Sequence, residues 1–171
     1  MTEQPLPPPG FVIRMAAALY DGLLVIALWM VAALLALLPV WAFSDAEYIP
    51  AGNPLFQAWL VVVTGLFFAW FWARAGQTLG MKAWRLRVVD QQGRGLSGRP
   101  LWLRLALVLV MVVALIYATT FLTSEMWPNW LGVLCLVPVV ISCCWALVDP
   151  ERRMLHDILS GTRVIRIPRS V

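Results

Sequence analysis

The chain has 171 residues, of which 61% are apolar and 13% charged, with a mean hydropathy of +0.81. A soluble domain carries roughly 25% charged and about 45–50% apolar residues, so water cannot be this chain's only solvent. Disorder is excluded outside the tails, and so is a multidomain enzyme, because one domain takes about 100–200 residues.

In chain order, residues 1–10 form a proline-rich arm (Pro5, Pro7, Pro8, Pro9) that cannot be helical. It has neither the basic start nor the small-residue cleavage site of a signal peptide. Residues 11–171 read as one membrane domain. A bilayer core of roughly 30 Å takes about 20 mostly apolar residues as a helix. Four stretches meet that need: 11–43, 55–73, 105–124 and 130–148. Only the first carries charges, Arg14 and Asp21. The runs are continuous and lack the alternation of a membrane barrel. The expected fold is an all-α membrane protein with four transmembrane helices.

Charge sets the orientation. The loop 74–104 holds Arg74, Lys82, Arg85, Arg87, Arg94, Arg99 and Arg104, and the tail 149–171 holds Arg152, Arg153, Arg163, Arg166 and Arg169. The two other connections carry Asp45, Glu47 and Glu125 but no cation. The positive-inside rule makes both termini cytoplasmic and predicts a multi-pass inner-membrane protein. These cations flank spans, so their partners are anionic lipid headgroups rather than nucleic acid. Trp41, Trp59, Trp127 and Trp130 mark the outer span ends, and Trp70, Trp72, Trp102 and Trp145 the inner ones. Trp29 lies mid-span and is expected to pack against another helix. Cys135, Cys143 and Cys144 all fall in the fourth span; with one His in the chain, no metal site or other cofactor is expected.

The two cytoplasmic segments share a plan. Residues 77–84 suggest a short interfacial helix, then Leu86, Val88 and Val89 suggest a strand ended by the turn at 90–95. In the tail, Asp149 with Pro150 reads as a helix start running to about Leu159. A strand at 162–167 follows. Each half thus reads as span, loop, span, short helix, strand, with Arg87-Val88-Val89 and Arg163-Val164-Ile165 as candidate partners and Arg104 matching Arg14.

Ionisable residues inside spans cost at least about 2.5–3.5 kcal/mol at the helix centre and mark candidate sites. Arg14 and Asp21 share nearly one helix face, about 10.5 Å apart along the axis, too far for direct contact. If the membrane begins near Phe11, Asp21 lies near the midplane and suits proton or cation handling. If the span is 22–43, Asp21 is a wet anchor at the inner interface. In the tail, helical spacing pairs Arg153 with Asp157 and Arg152 with His156. One reading leaves these pairs solvated; the other brings Asp157 to Arg14 or Arg104, closing a charge network. No Ser or Cys nucleophile stands beside His156, so no enzyme is expected.

The segments RMAAALYDGLL, GQTLGMKAWRLRVVD and HDILSGTRVI, in this order, resemble the RDD family of bacterial membrane proteins. The resemblance spans about Phe11 to Ile165. It implies that Arg14 is the family's arginine, Asp21 its first aspartate and Asp157 its second, with Asp149 the weaker match. Leu79-Gly80-Met81 departs from the family's frequent Pro-Gly-Lys. What the resemblance implies for function is suspected transport, with cation/proton exchange proposed for some members. Two functions are expected to compete. One is a transporter or ion/proton exchanger subunit working as a homo-oligomer. In it Arg14, Asp21 and Asp157 bind the ion, with Arg104, Asp149, Arg153 and His156 in support. The other is a non-catalytic assembly or accessory protein, bound to a membrane-complex partner, whose charged triad is structural.

Overall fold

The computed structural model describes residues 8–44, 46–50, 52–123 and 125–168. Most of the proline arm, Asp45 and Arg169 lie outside the described residues. The chain forms α1 (Phe11–Phe43), α2 (Pro54–Ala75), α3 (Leu79–Ala83), β1 (Leu86–Asp90), α4 (Gly98–Leu122), α5 (Asn129–Val148), α6 (Leu155–Leu159) and β2 (Thr162–Arg166). Four of these helices, α1, α2, α4 and α5, are long and apolar enough to cross a membrane.

The long helices pack as an open row: α1 on α2, α2 on α4, and α4 on α5. Polar bonds pin the first pair. Trp29 Nε1 donates to Thr64 Oγ1 at 2.8 Å, and Trp59 Nε1 donates to the Ala32 carbonyl at 3.0 Å. Trp29 therefore does join two helices, as its mid-span position suggested. The same contacts set the antiparallel register of α1 and α2. Continued along both helices, that register places Asp21 beside the last turn of α2, far from the middle of the bundle. The 33 residues of α1 make a rod of about 50 Å, longer than a bilayer core needs. Its first turns, with Arg14, reach past the end of α2.

At that end gather α3, α6 and a two-stranded antiparallel sheet. β1 pairs with β2 in the register Arg87↔Ile165, Val88↔Val164, Val89↔Arg163. These are the two tripeptides the sequence offered as partners. Leu79 stands to Leu155, Ala83 to Leu159 and Val88 to Val164 at one common offset. The pairing is centred on Val88 and Val164, as a two-fold relation between the halves requires. Val88, fully buried, joins Leu86, Val164, Met81, Leu96 and Trp72 in one core. Gly76 makes the reversal into this layer: it ends α2 at φ 66°, and its carbonyl accepts from Val88 N at 2.7 Å. A Cβ there would lie 2.8 Å from the Val88 carbonyl oxygen, so only glycine fits.

Three expectations need correction. The helix that carries the third span, 105–124, begins earlier, at Gly98, so Arg104 lies inside that helix. Arg99 and Arg104 looked like a boundary because charges are costly in an apolar helix, but Arg104 finds a buried partner. Asp149 does not start a helix; it follows the last residue of α5, and Arg152 breaks the chain at φ 54° before α6 begins at Leu155. Arg153 consequently pairs with Asp149 (Nε to Oδ2, 3.1 Å), not with Asp157. Trp72 is no belt residue either: it is only 3% exposed and packs inside the end layer.

Candidate functional site

Three buried charges, Arg14, Arg104 and Asp157, meet where α1, α4 and α6 converge. Asp157 is wholly buried, and Arg14 and Arg104 are 5% and 4% exposed. Arg14 Nη1 donates to Asp157 Oδ2 at 2.7 Å. Arg104 Nη1 donates to Asp157 Oδ1 and, at 2.7 Å, to Thr162 Oγ1. Asp157 Oδ2 also accepts from the backbone N–H of Met154 at 3.1 Å, which caps the start of α6. One carboxylate thus ties α1 to α4, closes its own helix turn and borders the second strand. The network reading of Asp157 is the one the structure realises, with both arginines on it.

Burial alone would raise the Asp157 pKa. The Arg104 guanidinium first, with Arg14 also beside it, overcomes that and holds the carboxyl well below the usual carboxylate range. His156 goes the other way. Burial foremost, then the Arg104 charge, pushes its imidazole down to about 4, so it is neutral at pH 7. Its Nδ1 lies 3.2 Å from Ser142 Oγ on α5. A neutral His leaves two cations against one carboxylate in the cluster.

The His156 shift makes stability pH-dependent. Below pH 6.5 the unfolded chain takes up a proton that the folded one refuses, until about pH 4. Thermal unfolding in detergent should therefore show about 2–3 kcal/mol less stability at pH 4.5 than at pH 7. His156→Gln should flatten that slope. Asp157, shifted downward, adds its own loss only at still lower pH, below the ordinary carboxylate pKa. An equal slope in the variant would mean that another group carries it.

Asp21 is not part of this clamp. Its Oδ2 accepts from Thr78 Oγ1 at 2.5 Å and its Oδ1 accepts from Gly80 N at 2.8 Å. The carboxylate of α1 therefore holds the start of α3, while Thr78 Oγ1 also accepts from Met81 N. Arg14 takes Asp157, and Asp21 takes α3. The two charged residues of the first helix serve the two different short helices. Asp149 and Arg153 form a separate pair on the chain reversal after α5, where the Arg153 side chain holds the Asp149 carboxyl below its ordinary range. Among the described residues neither shares a hydrogen bond with the clamp, although Arg153 lies close enough to feel the Asp157 charge.

Thr78 and Thr162 belong to the site but were not singled out in the sequence, and Gly80 and Trp72 were named there in other roles. Thr78, a threonine just before a short helix, is an N-cap signal. The Arg104 guanidinium lies 4.9 Å from the centre of the Trp72 ring, a cation–π contact. Above the cluster opens a cleft of about 490 Å³ between α1 and α4, floored by α2.

The sequence profile of the RDD family matches residues 8–161, from the described end of the proline arm through α6. The chain belongs to the RDD family. No curated protein and no solved structure matches it. In this RDD chain the arginine and the two aspartates of the resemblance occupy two joints rather than one ion-pair triad: Arg14 with Asp157, and Asp21 with Thr78 and Gly80. Arg104, from the second half, completes the first joint.

Proposed function

We propose that this RDD protein is a non-catalytic assembly or accessory protein of a bacterial inner membrane, with its charged residues holding the fold. One observation carries the reading. All four carboxylate oxygens of Asp21 and Asp157 accept hydrogen bonds from protein donors. A proton or cation exchanger needs a carboxylate that can change partners, and these two are committed. The described Lys and Arg residues fall at the end of the bundle that carries α3, α6 and the sheet, with Glu47 and Glu125 in the opposite connections. That asymmetry supports cytoplasmic termini and a cationic face for headgroups or a partner complex.

The exchanger reading keeps one point in its favour, because Asp21 lines the cleft. Proteoliposomes separate the two. The accessory reading expects proton and cation flux at the level of protein-free vesicles, and Asp21→Asn to lower the amount of protein in the membrane several-fold. Flux by the wild type that Asp21→Asn abolishes at equal protein amount would overturn it.

A further inference from the structure

Four buried side-chain nitrogens have no hydrogen-bond partner among the described residues: Arg14 Nε and Nη2, Arg104 Nε and Trp72 Nε1. All four are donors, and all three residues line the same cleft. A buried donor left unmade is costly, and more so on a charged group. Only an acceptor satisfies such a set. At the clamp two arginines face one carboxylate, while Asp21 further along the cleft is held by Thr78 and Gly80. That local excess favours an anionic acceptor. Each arginine gives Nη1 to Asp157, and its unpaired nitrogens lie just beneath the wall of the cleft that the residue lines.

Beyond this polar end, where Asp21, Thr78 and His156 also line the cleft, the walls are mainly apolar. On α4 it runs from Arg104 through Val108, Val112 and Leu115 to Thr119, one face of the helix at a spacing of three to four residues. The fifteen helical steps from Arg104 to Thr119 rise about 22 Å, longer than the roughly 15 Å of one leaflet's hydrocarbon. The α1 wall is open: Ile26 lines the cleft yet is 55% exposed, and α1 packs on α2 rather than on α4 or α5. A free phosphate would satisfy the donors and leave the slot unfilled. An apolar helix would fill the slot and leave the donors unmade.

We propose that the cleft is a binding site for one anionic phospholipid, its phosphate on Arg14, Arg104 and Trp72 and one acyl chain along α4. Arginine is suited to this, since its planar fork makes short, charge-assisted bonds to phosphate oxygens. The site is independent of whether the protein assembles or transports.

Delipidated full-length protein in detergent, titrated with phosphatidylglycerol, phosphatidylcholine or inorganic phosphate, tests this by native mass spectrometry and thermal unfolding. One phosphatidylglycerol should remain bound per chain, preferred about tenfold over phosphatidylcholine, and should raise Tm. Inorganic phosphate should do neither. Val112→Trp, which fills the slot, should lose the retained lipid, and Leu134→Trp on the exposed face of α5 should keep it. Arg104→Lys keeps a cation for Asp157 but loses Nε, and should weaken retention about tenfold while the chain stays folded. Equal retention by wild type and Val112→Trp would reduce the lipid to a non-specific annulus and overturn the proposal. Protection by inorganic phosphate equal to that by phosphatidylglycerol would overturn it in favour of a free-anion site.

Discussion

Asp157→Asn should lower the stability of the protein by about 3–5 kcal/mol, the usual penalty for breaking a buried ion pair from one side. The carboxylate is wholly buried and answers two guanidiniums that are themselves 95% or more covered. An amide of the same shape keeps a contact to one arginine but leaves two cations facing each other without an anion. Thr162 Oγ1 still accepts from Arg104, and Arg14 has no such second partner. This predicts a sign as well as a size. Adding Arg14→Met to Asp157→Asn removes the arginine with least support, so the double variant should be more stable than Asp157→Asn alone. In a double-mutant cycle the two changes should therefore be strongly non-additive. Thermal unfolding in detergent, with membrane abundance as the cellular readout, measures all three. A double variant less stable than Asp157→Asn would mean that Arg14 contributes by packing rather than by charge.

Part of this clamp is legible in the sequence, for a physical reason. Charges in apolar helices are expensive, so Arg14 and Asp21 could not be ornamental, and one of the two readings of the tail brought Asp157 to Arg14 or Arg104. The strand pairing was legible too, because Arg-Val-Val and Arg-Val-Ile carry the same alternation in both halves. Local rules failed where tertiary contacts set the backbone. Asp149-Pro150 has the letters of a helix start, yet its carboxylate spends its bonds on Glu151 N and Arg153, and Arg152 turns left-handed. Trp72 has the composition of a belt residue, but Arg104 stacks on it from a helix far along the chain. The depth of Asp21 stayed open for the same reason. Its partners, Thr78 and Gly80, lie 57 and 59 residues away, and no spacing within α1 points to them.

That second joint yields the other large expected effect. Gly80 sits where α3 meets α1, and a Cβ built on it would lie 2.9 Å from both Cγ and Oδ1 of Asp21 and closer still to the Ala17 carbonyl oxygen. The Ala17 oxygen belongs to helix backbone and cannot move cheaply, so α3 itself would have to lift. Lifting it stretches the bond from Gly80 N to Asp21 and, with it, the bond from Thr78. Gly80→Ala should then cost about 2–5 kcal/mol, overpacking plus one charge-assisted hydrogen bond. Glycine-to-alanine changes in helices ordinarily stabilise, because alanine is the better helix former by about 1 kcal/mol. Gly22→Ala supplies that comparison next to Asp21 on the same helix, since a Cβ there meets nothing within 4 Å. It should raise Tm slightly while Gly80→Ala lowers it by many degrees. Asp21→Ala should bring Gly80→Ala little further down, because both remove the same joint. Equal Tm values for Gly80→Ala and Gly22→Ala would show that α3 rests loosely on α1, and Asp21 would then lose its role as the anchor between the first helix and the sheet layer.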